Sequence, residues 1–415
     1  MQQKSVRLLQ TGPRGVVSAS HLTSIGRVPG QTHRMMPGKF GNLTTTLEME
    51  PMKKNIIAMA VAAAVAAPAA AMADTTLYGK IHASYDFWGG DNADDSDYSL
   101  ASNSSRIGIK GKEEISDNLS LIYQWEQGID WGGDAGSGIG GNTRNTFVGF
   151  TGGWGTVIAG RHDTPMKLVG RKYDLFGDTV AGARSITKGL SANAAVDGET
   201  AGFDERIDNV VAYATPDLAG FQAMGAYISN WSGDDQTAAT RINNEYDAYS
   251  ISAGYEIAGF SIDGAYEVHN MADPAVVGMT DEESAYRVGA GYEIGGFKLV
   301  GLYQSISDVG FVSGADVDMW GAGAAYSFGK STIKGQYYAA DDVDGVDDSD
   351  GELWSVGYDY KMSKQTKVYA VYGSMESGAN ANYELGYGTG HGERAYYDGD
   401  GNDSNAFSVG VIHKF

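Results

Sequence analysis

The sequence predicts an all-β fold: a closed antiparallel transmembrane barrel of sixteen strands, with its long third loop folded into the lumen. Three observations carry this. Segment after segment from Thr75 to Phe415 alternates apolar and polar residues. The connections between segments alternate between short and long. An export signal stands in front of the first segment. The stretch Leu77–Phe87 shows the alternation: one parity reads Leu77, Gly79, Ile81, Ala83, Tyr85, Phe87, and the other Tyr78, Lys80, His82, Ser84, Asp86. A period of two is the strand period, so one face is oily and the other charged. Sixteen such segments of about ten residues behind an export signal fit a barrel with lipid outside and water inside.

The signal has three parts. Met52-Lys53-Lys54 opens a basic region, Ile56–Ala67 is an Ala-rich apolar stretch, and Ala71-Met72-Ala73 fits the small-x-small cleavage rule. Residues 52–73 therefore read as a signal peptide and 74–415 as the barrel, with Asp74 at the mature N-terminus. The stretch is too short for a comfortable membrane span. Residues 1–51 read as translation from a start codon placed too early, with a genuine N-terminal extension as the alternative.

Residues 1–73 carry 8 basic and 2 acidic residues, which leaves 22 against 50 and a net charge of −28 for the remainder. Such an excess repels phosphate backbones and argues against nucleic acid. It suits hydrated surface loops. With no cysteine, disulfides and thiolate metal sites are excluded. Past the signal only Pro165, Pro216 and Pro274 remain, all between strand candidates, as expected where every run donates to a ladder. No apolar run of about 18 residues follows the signal, which excludes a helical membrane protein.

The expected strands are 75–88, 105–114, 119–129, 144–151, 155–161, 205–215, 221–231, 245–257, 260–269, 284–294, 297–306, 316–328, 331–340, 352–361, 366–374 and 405–415. An even count returns both termini to the same side of a closed barrel. Asp117-Asn118, Gly152-Gly153, Pro216–Gly220, Ala258-Gly259, Gly295-Gly296, Gly329-Lys330 and Met362–Gln365 are the short turns, rich in residues that accept positive φ. The connections between them are long and polar, the arrangement of an outer-membrane barrel. Gly254–Phe260 and Gly291–Phe297 repeat one strand-turn-strand unit. Aromatic residues near strand ends, namely Phe87-Trp88, Trp125, Tyr227 with Trp231, Tyr337-Tyr338, Tyr358 with Tyr360, and Tyr369 with Tyr372, suit the headgroup level of a bilayer.

The connection 162–204 is the outlier at about 43 residues, and loops of that length are functional or disordered. It carries Lys167, Arg171, Lys172, Asp174 and Asp178 among Leu168, Val169, Tyr173, Leu175 and Phe176. Apolar residues at that density need a surface, and a sixteen-stranded bore is wide enough to supply one. On the wall, Lys80, Arg106 and Arg206 fall on the parity opposite to their apolar neighbours. Arg144 is ambiguous, because Thr146, Val148 and Phe150 share its parity. A charge facing hydrocarbon at mid-depth costs roughly 2–4 kcal/mol, so these side chains are expected to face the lumen. Basic groups on the wall opposite Asp174 and Asp178 on the loop would set a transverse field across a narrow aperture.

Other chemistry is poorly supported. The acidic clusters Asp94-Asp95-Ser96-Asp97, Asp341–Asp350 and Asp398–Asp403 lack the twelve-residue calcium loop with its closing Glu. They read as solvated loops bridged to lipopolysaccharide by divalent ions. The histidines are scattered, and no Gly-x-Ser-x-Gly or His-Glu-x-x-His motif occurs, so neither an enzyme nor a cofactor is expected.

These stretches resemble the general diffusion porins of Gram-negative outer membranes, a trimeric sixteen-stranded family. The matching segments are Leu77–Lys80, Ser105–Gly111, Arg144–Phe150, Gly160-Arg161, Asp174–Asp178 and Val409–Phe415. The resemblance implies a water-filled channel for passive diffusion of small hydrophilic solutes and ions, assembled as a homotrimer. It makes Lys80, Arg106, Arg144 and Arg206 the basic wall of a constriction and Asp178, with Asp174 nearby, its acidic loop side. Where the enterobacterial branch has Pro-Glu-Phe-Gly-Gly, this chain has Asp174-Leu175-Phe176-Gly177. Phe415 corresponds to the C-terminal aromatic read by the barrel-assembly machinery, and its alternating strand suits strand addition. A substrate-specific channel and a non-conducting structural or adhesive barrel remain as alternatives.

Overall fold

The computed structural model describes residues 75–91, 98–131, 138–188, 202–231, 246–271, 278–386, 389–392 and 401–415. The expected extension 1–51, the expected leader 52–73, the cluster Asp94–Asp97 and half of Asp398–Asp403 lie outside the described residues.

The strand segments are β1 (Thr76–Gly90), β2 (Tyr98–Ser102), β3 (Arg106–Ser116), β4 (Leu119–Asp130), β5 (Gly138–Thr143), β6 (Thr146–Gly152), β7 (Gly155–Asp163), β8 (Arg206–Ala214) and β9 (Phe221–Ile228). They continue as β10 (Ala248–Ile257), β11 (Phe260–Asn270), β12 (Glu282–Ile294), β13 (Phe297–Ser307), β14 (Val317–Phe328), β15 (Ser331–Ala340), β16 (Gly351–Lys361), β17 (Thr366–Ser377) and β18 (Ser404–Lys414). Each pairs antiparallel with its neighbours, and β1 pairs with β18 along Lys80–Gly90, which closes the sheet. Two wall strands are interrupted. β2 and β3 lie end to end along β1, and β5 and β6 lie end to end along β4. The wall is therefore a closed antiparallel barrel of sixteen strands. Closure removes the edges that would otherwise template pairing with other chains.

The skin is inverted relative to a soluble protein. On β1, Ile81, Tyr85 and Phe87 are exposed while Lys80, His82, Ser84 and Asp86 are buried. The same outward row runs on through Ile251, Ile262, Val288, Leu299, Ile333, Val356 and Val409. A continuous apolar surface of that extent is stable only against another apolar phase. Of the aromatics expected at strand ends, Phe87, Trp125, Tyr358 and Tyr360 do face outward, but Tyr338 and Tyr369 are buried on the inner side. The pleat forces this at Tyr337-Tyr338, because consecutive residues point to opposite faces.

The short turns are tight hairpins. Gly295 and Gly296 both have positive φ (56° and 88°), as does the equivalent pair Ala258 and Gly259 (49° and 85°). Such turns match the twist of the flanking strands.

Residues 164–188 hold two short helices, α1 (Pro165–Tyr173) and α2 (Arg184–Thr187). Thr164 caps α1 by accepting the Lys167 N–H, and Pro165 fits the first turn, where no backbone donor is needed. Met166, Val169, Tyr173, Phe176, Val180, Ile186 and Phe203 pack on Val300, Leu302, Met319, Tyr338, Leu353, Val371 and Met375 of the wall to make the main apolar core. Polar side chains of the same wall face hold the main chain of the segment. Tyr338 donates to the Tyr173 carbonyl at 3.0 Å, Lys334 to that of Leu175 at 2.9 Å and Ser355 to that of Ala181 at 2.9 Å. Each of these partners is on the parity opposite to the exposed Ile333, Trp354 and Val356 of its own strand or neighbour. Arg287, wholly buried on β12, is the central anchor: it donates to the carbonyls of Met166 and Thr187, to the Asp204 carboxylate and to Gln304.

Candidate functional site

Where the inner wall of β1, β3, β4, β7 and β8 meets α1 and the turn after it, charged side chains gather in a repeated pattern. Asp178 takes Lys80 at 2.7 Å and Arg171 at 3.7 Å. Glu126 takes Arg144 at 2.6 Å and Arg106 at 3.3 Å. Asp163 takes Arg206 at 3.0 Å and Lys167 at 3.3 Å. Each carboxylate is thus shared by two cations. Tyr78 donates to Glu126 at 3.0 Å, and Asn145 links Arg206 to Asp163 through its two amide atoms. Six cations face three anions, so the cluster carries a net charge of about +3 although the chain as a whole is strongly acidic.

The local backbone decides how these groups reach one another. Lys80 and Arg106 are register partners on β1 and β3. Arg144 falls in the break between β5 and β6. Gln127 pairs with Thr143, but Gln124 pairs with Phe147, so the register slips by one residue there. The slip resolves the ambiguous parity of Arg144, which turns to Glu126 while Val148 and Phe150 stay outside. A second slip separates Gly160↔Val210 from His162↔Ile207, with Asn209 at a φ of 60°. Ile207 is therefore buried while Val211 and Tyr213 are exposed, so the alternation expected around Arg206 does not run unbroken along this strand.

On the loop, burial works to raise the Asp178 carboxyl, but Lys80 and then Arg171 outweigh it and hold the group well below the usual carboxylate range. Lys167 is pushed down to about 8 by burial and by Arg184, against the pull of Asp163.

Five of the six residues expected from the sequence are in this cluster: Lys80, Arg106, Arg144, Arg206 and Asp178. Asp174 is not. It ends α1, accepts the Phe176 N–H at 2.8 Å and the Gln336 amide at 3.2 Å, and lies on the β15 side of the segment. Burial raises its carboxyl, and among the described residues no ion pair joins it to any of the four wall cations. Phe415 is apart from the cluster. Its backbone closes on Gly79 through reciprocal hydrogen bonds of 2.9 and 3.1 Å. Glu126, Asp163 and the roles of Lys167 and Arg171 were not singled out from the sequence. Glu126 was within reach, since it alternates with Tyr123 and Trp125. Lys167 and Arg171 stand at i and i+4, which matters only once Thr164-Pro165 is read as a helix start. Among the described residues no group of three or more His, Asp or Glu side chains gathers to hold a metal.

The model of the Gram-negative porin family matches residues 58–380. The chain belongs to this family. Among curated porins it is 31% identical over 216 residues to the major outer membrane protein P.IB of Neisseria sicca, covering 50% of this chain and 56% of that one. It is 31% identical over 179 residues to outer membrane porin protein 32 of Delftia acidovorans, covering 42% and 49%. The chain thus spans about half the length of the curated porins it matches. Among solved structures, an anion-selective porin from Comamonas acidovorans superposes with a TM-score of 0.66 at 22% identity, covering 82% of this chain and 99% of that one. The OmpF porin of Salmonella typhi, in complex with daunomycin, gives 0.61 at 20% identity, covering 82% and 97%. At those identities the likeness establishes the porin fold.

Proposed function

We propose that this porin is an outer-membrane channel for passive diffusion of small hydrophilic solutes, with a preference for anions. Residues 164–188 narrow the bore, the cluster around Asp178, Glu126 and Asp163 forms the waist, and three copies assemble side by side. The observation that carries the anion preference is the two-to-one sharing of every waist carboxylate. Charge at the narrowest point is focused by low-dielectric walls and outweighs charge on distant, screened loops. Acidic loops at the outer mouth would meet lipopolysaccharide through divalent ions, and Phe415 would present the last strand to the assembly machinery. No energy source is needed, because rows of fixed charge and a limiting diameter suffice for selection.

Planar bilayers test this. Purified protein should insert in conductance steps, grouped in threes. A salt gradient should give a reversal potential of the sign for anion permeation. A cation-signed potential would remove the preference, and the absence of any channel after verified refolding would remove the pore.

A further inference from the structure

The chain between β17 and β18 also reaches the waist, from behind. Ala381, Tyr383 and Leu385 are buried in the main core. The Gly386 N–H donates to the Ser185 hydroxyl of α2 at 3.2 Å. The Thr389 carbonyl accepts the backbone N–H of Asp178 at 3.2 Å. The Gly390 carbonyl accepts Ser104 at 2.9 Å, and the Gly392 N–H donates to Asn103 at 2.9 Å. The His391 imidazole is buried against β1, 3.1 Å from the Asp86 carboxylate and 3.2 Å from the Ser84 hydroxyl, with the Trp88 ring edge-on to it.

Gly390 is the tight point. Its φ is +87°, and a Cβ there would lie 2.7 Å from one carboxylate oxygen of Asp178 and 2.6 Å from the Ser104 hydroxyl. The other carboxylate oxygen of Asp178 is the one that meets Lys80. The acid is thus held between a backbone wall on one side and its cation on the other.

We propose that Thr389–Gly392 is a positioning element for the waist: it backs Asp178 against Lys80, with His391 on Asp86 as its lock. This rests on the channel reading above and adds a second loop to the parts that set ion preference. Two features separate it from mere filling. Thr389 holds the Asp178 main chain, and Gly390 leaves no room for a Cβ beside the Asp178 carboxylate. The lock on Asp86 is independent of the waist charges, so it can be released without touching them.

The test is a double-mutant cycle read by reversal potential and single-channel conductance in bilayers. Gly390→Val should drive the carboxylate off Lys80 and raise the anion-to-cation permeability ratio roughly threefold, part of the shift given by Asp178→Asn. Added to Asp178→Asn it should give no further shift, because its effect runs through that carboxylate. His391→Ala keeps Gly390 and should shift the ratio in the same direction. The proposal fails if both variants form channels with unchanged selectivity. It also fails if the Gly390→Val and Asp178→Asn shifts add. A wild-type protein that does not conduct would overturn the channel reading itself, a result distinct from either of these.

Discussion

Asp178→Asn removes one negative charge from the waist while leaving a side chain of the same size. Asp178 is the single carboxylate that faces both Lys80 and Arg171, so its loss takes the cluster from about +3 to about +4. An ion passing about 6 Å from the removed charge, in a medium close to bulk water, changes energy by about 0.7 kcal/mol. That is a factor of about 3, favourable for an anion and unfavourable for a cation. The anion-to-cation permeability ratio should therefore rise about tenfold at low salt. The Debye length is about 10 Å at 0.1 M and about 3 Å at 1 M, so most of the gain should vanish in molar salt. Reversal potentials at two ionic strengths, with conductance steps confirming intact channels, make the assay. An unchanged ratio at low salt, or a move towards cations, would show that Asp178 does not face the ion path.

Other consequences follow from named contacts. Arg287→Gln breaks a buried guanidinium–carboxylate contact, leaves Asp204 to Arg184 alone and strips a donor from the Met166 and Thr187 carbonyls, a loss of up to about 3–5 kcal/mol. It should lower the thermal unfolding midpoint and make the open channel noisy, and a variant as stable and quiet as the parent would refute the anchoring role. On the acid side, the lowered carboxyl of Asp178 contributes stability that is complete above the unfolded carboxylate pKa of about 3.9 and is lost as pH falls through its own lower value. Selectivity should accordingly hold steady from pH 7 down to about 4. On the alkaline side Lys167, at about 8, loses its proton before an unfolded lysine would, so stability from this group rises with pH between about 8 and about 10. The waist loses a cation over the same range, and reversal potentials between pH 7 and 9 should show the anion preference declining. Deleting Phe415 removes the reciprocal bonds to Gly79 but spares the remaining β1–β18 register. Refolding in detergent should persist while the amount in the outer membrane falls; equal loss in both would point to closure rather than recognition.

The wall was legible because its determinants are local. Alternation of period two, turn residues at each short connection and polar runs at the other end placed the sixteen wall strands within a few residues, except that β2 and β5 fall in stretches read as loops. The interruptions within two of them, marked by β2 and β5, left no mark on the alternation. The inner charges were half legible for the same reason. Lys80 and Arg106 could be assigned by parity, because no bulge intervenes between them and their apolar neighbours. Arg144 could not, and Arg206 was assigned on an alternation that its own strand breaks, because a one-residue slip reverses every side chain beyond it and depends on how the partner strand is read.

By itself, the sequence determined that this chain would close into an oily-skinned barrel with basic groups on its inner wall. Only the tertiary structure decided which acid meets which base. Lys80 and Asp178 are 98 residues apart, and Asp178 and Thr389 stand on two different loops. Periodicity reports which face a side chain shares with its immediate neighbours, whereas such encounters depend on the path of a whole loop relative to the wall. Asp174, four residues before Asp178, faces a different wall because the chain reverses between them.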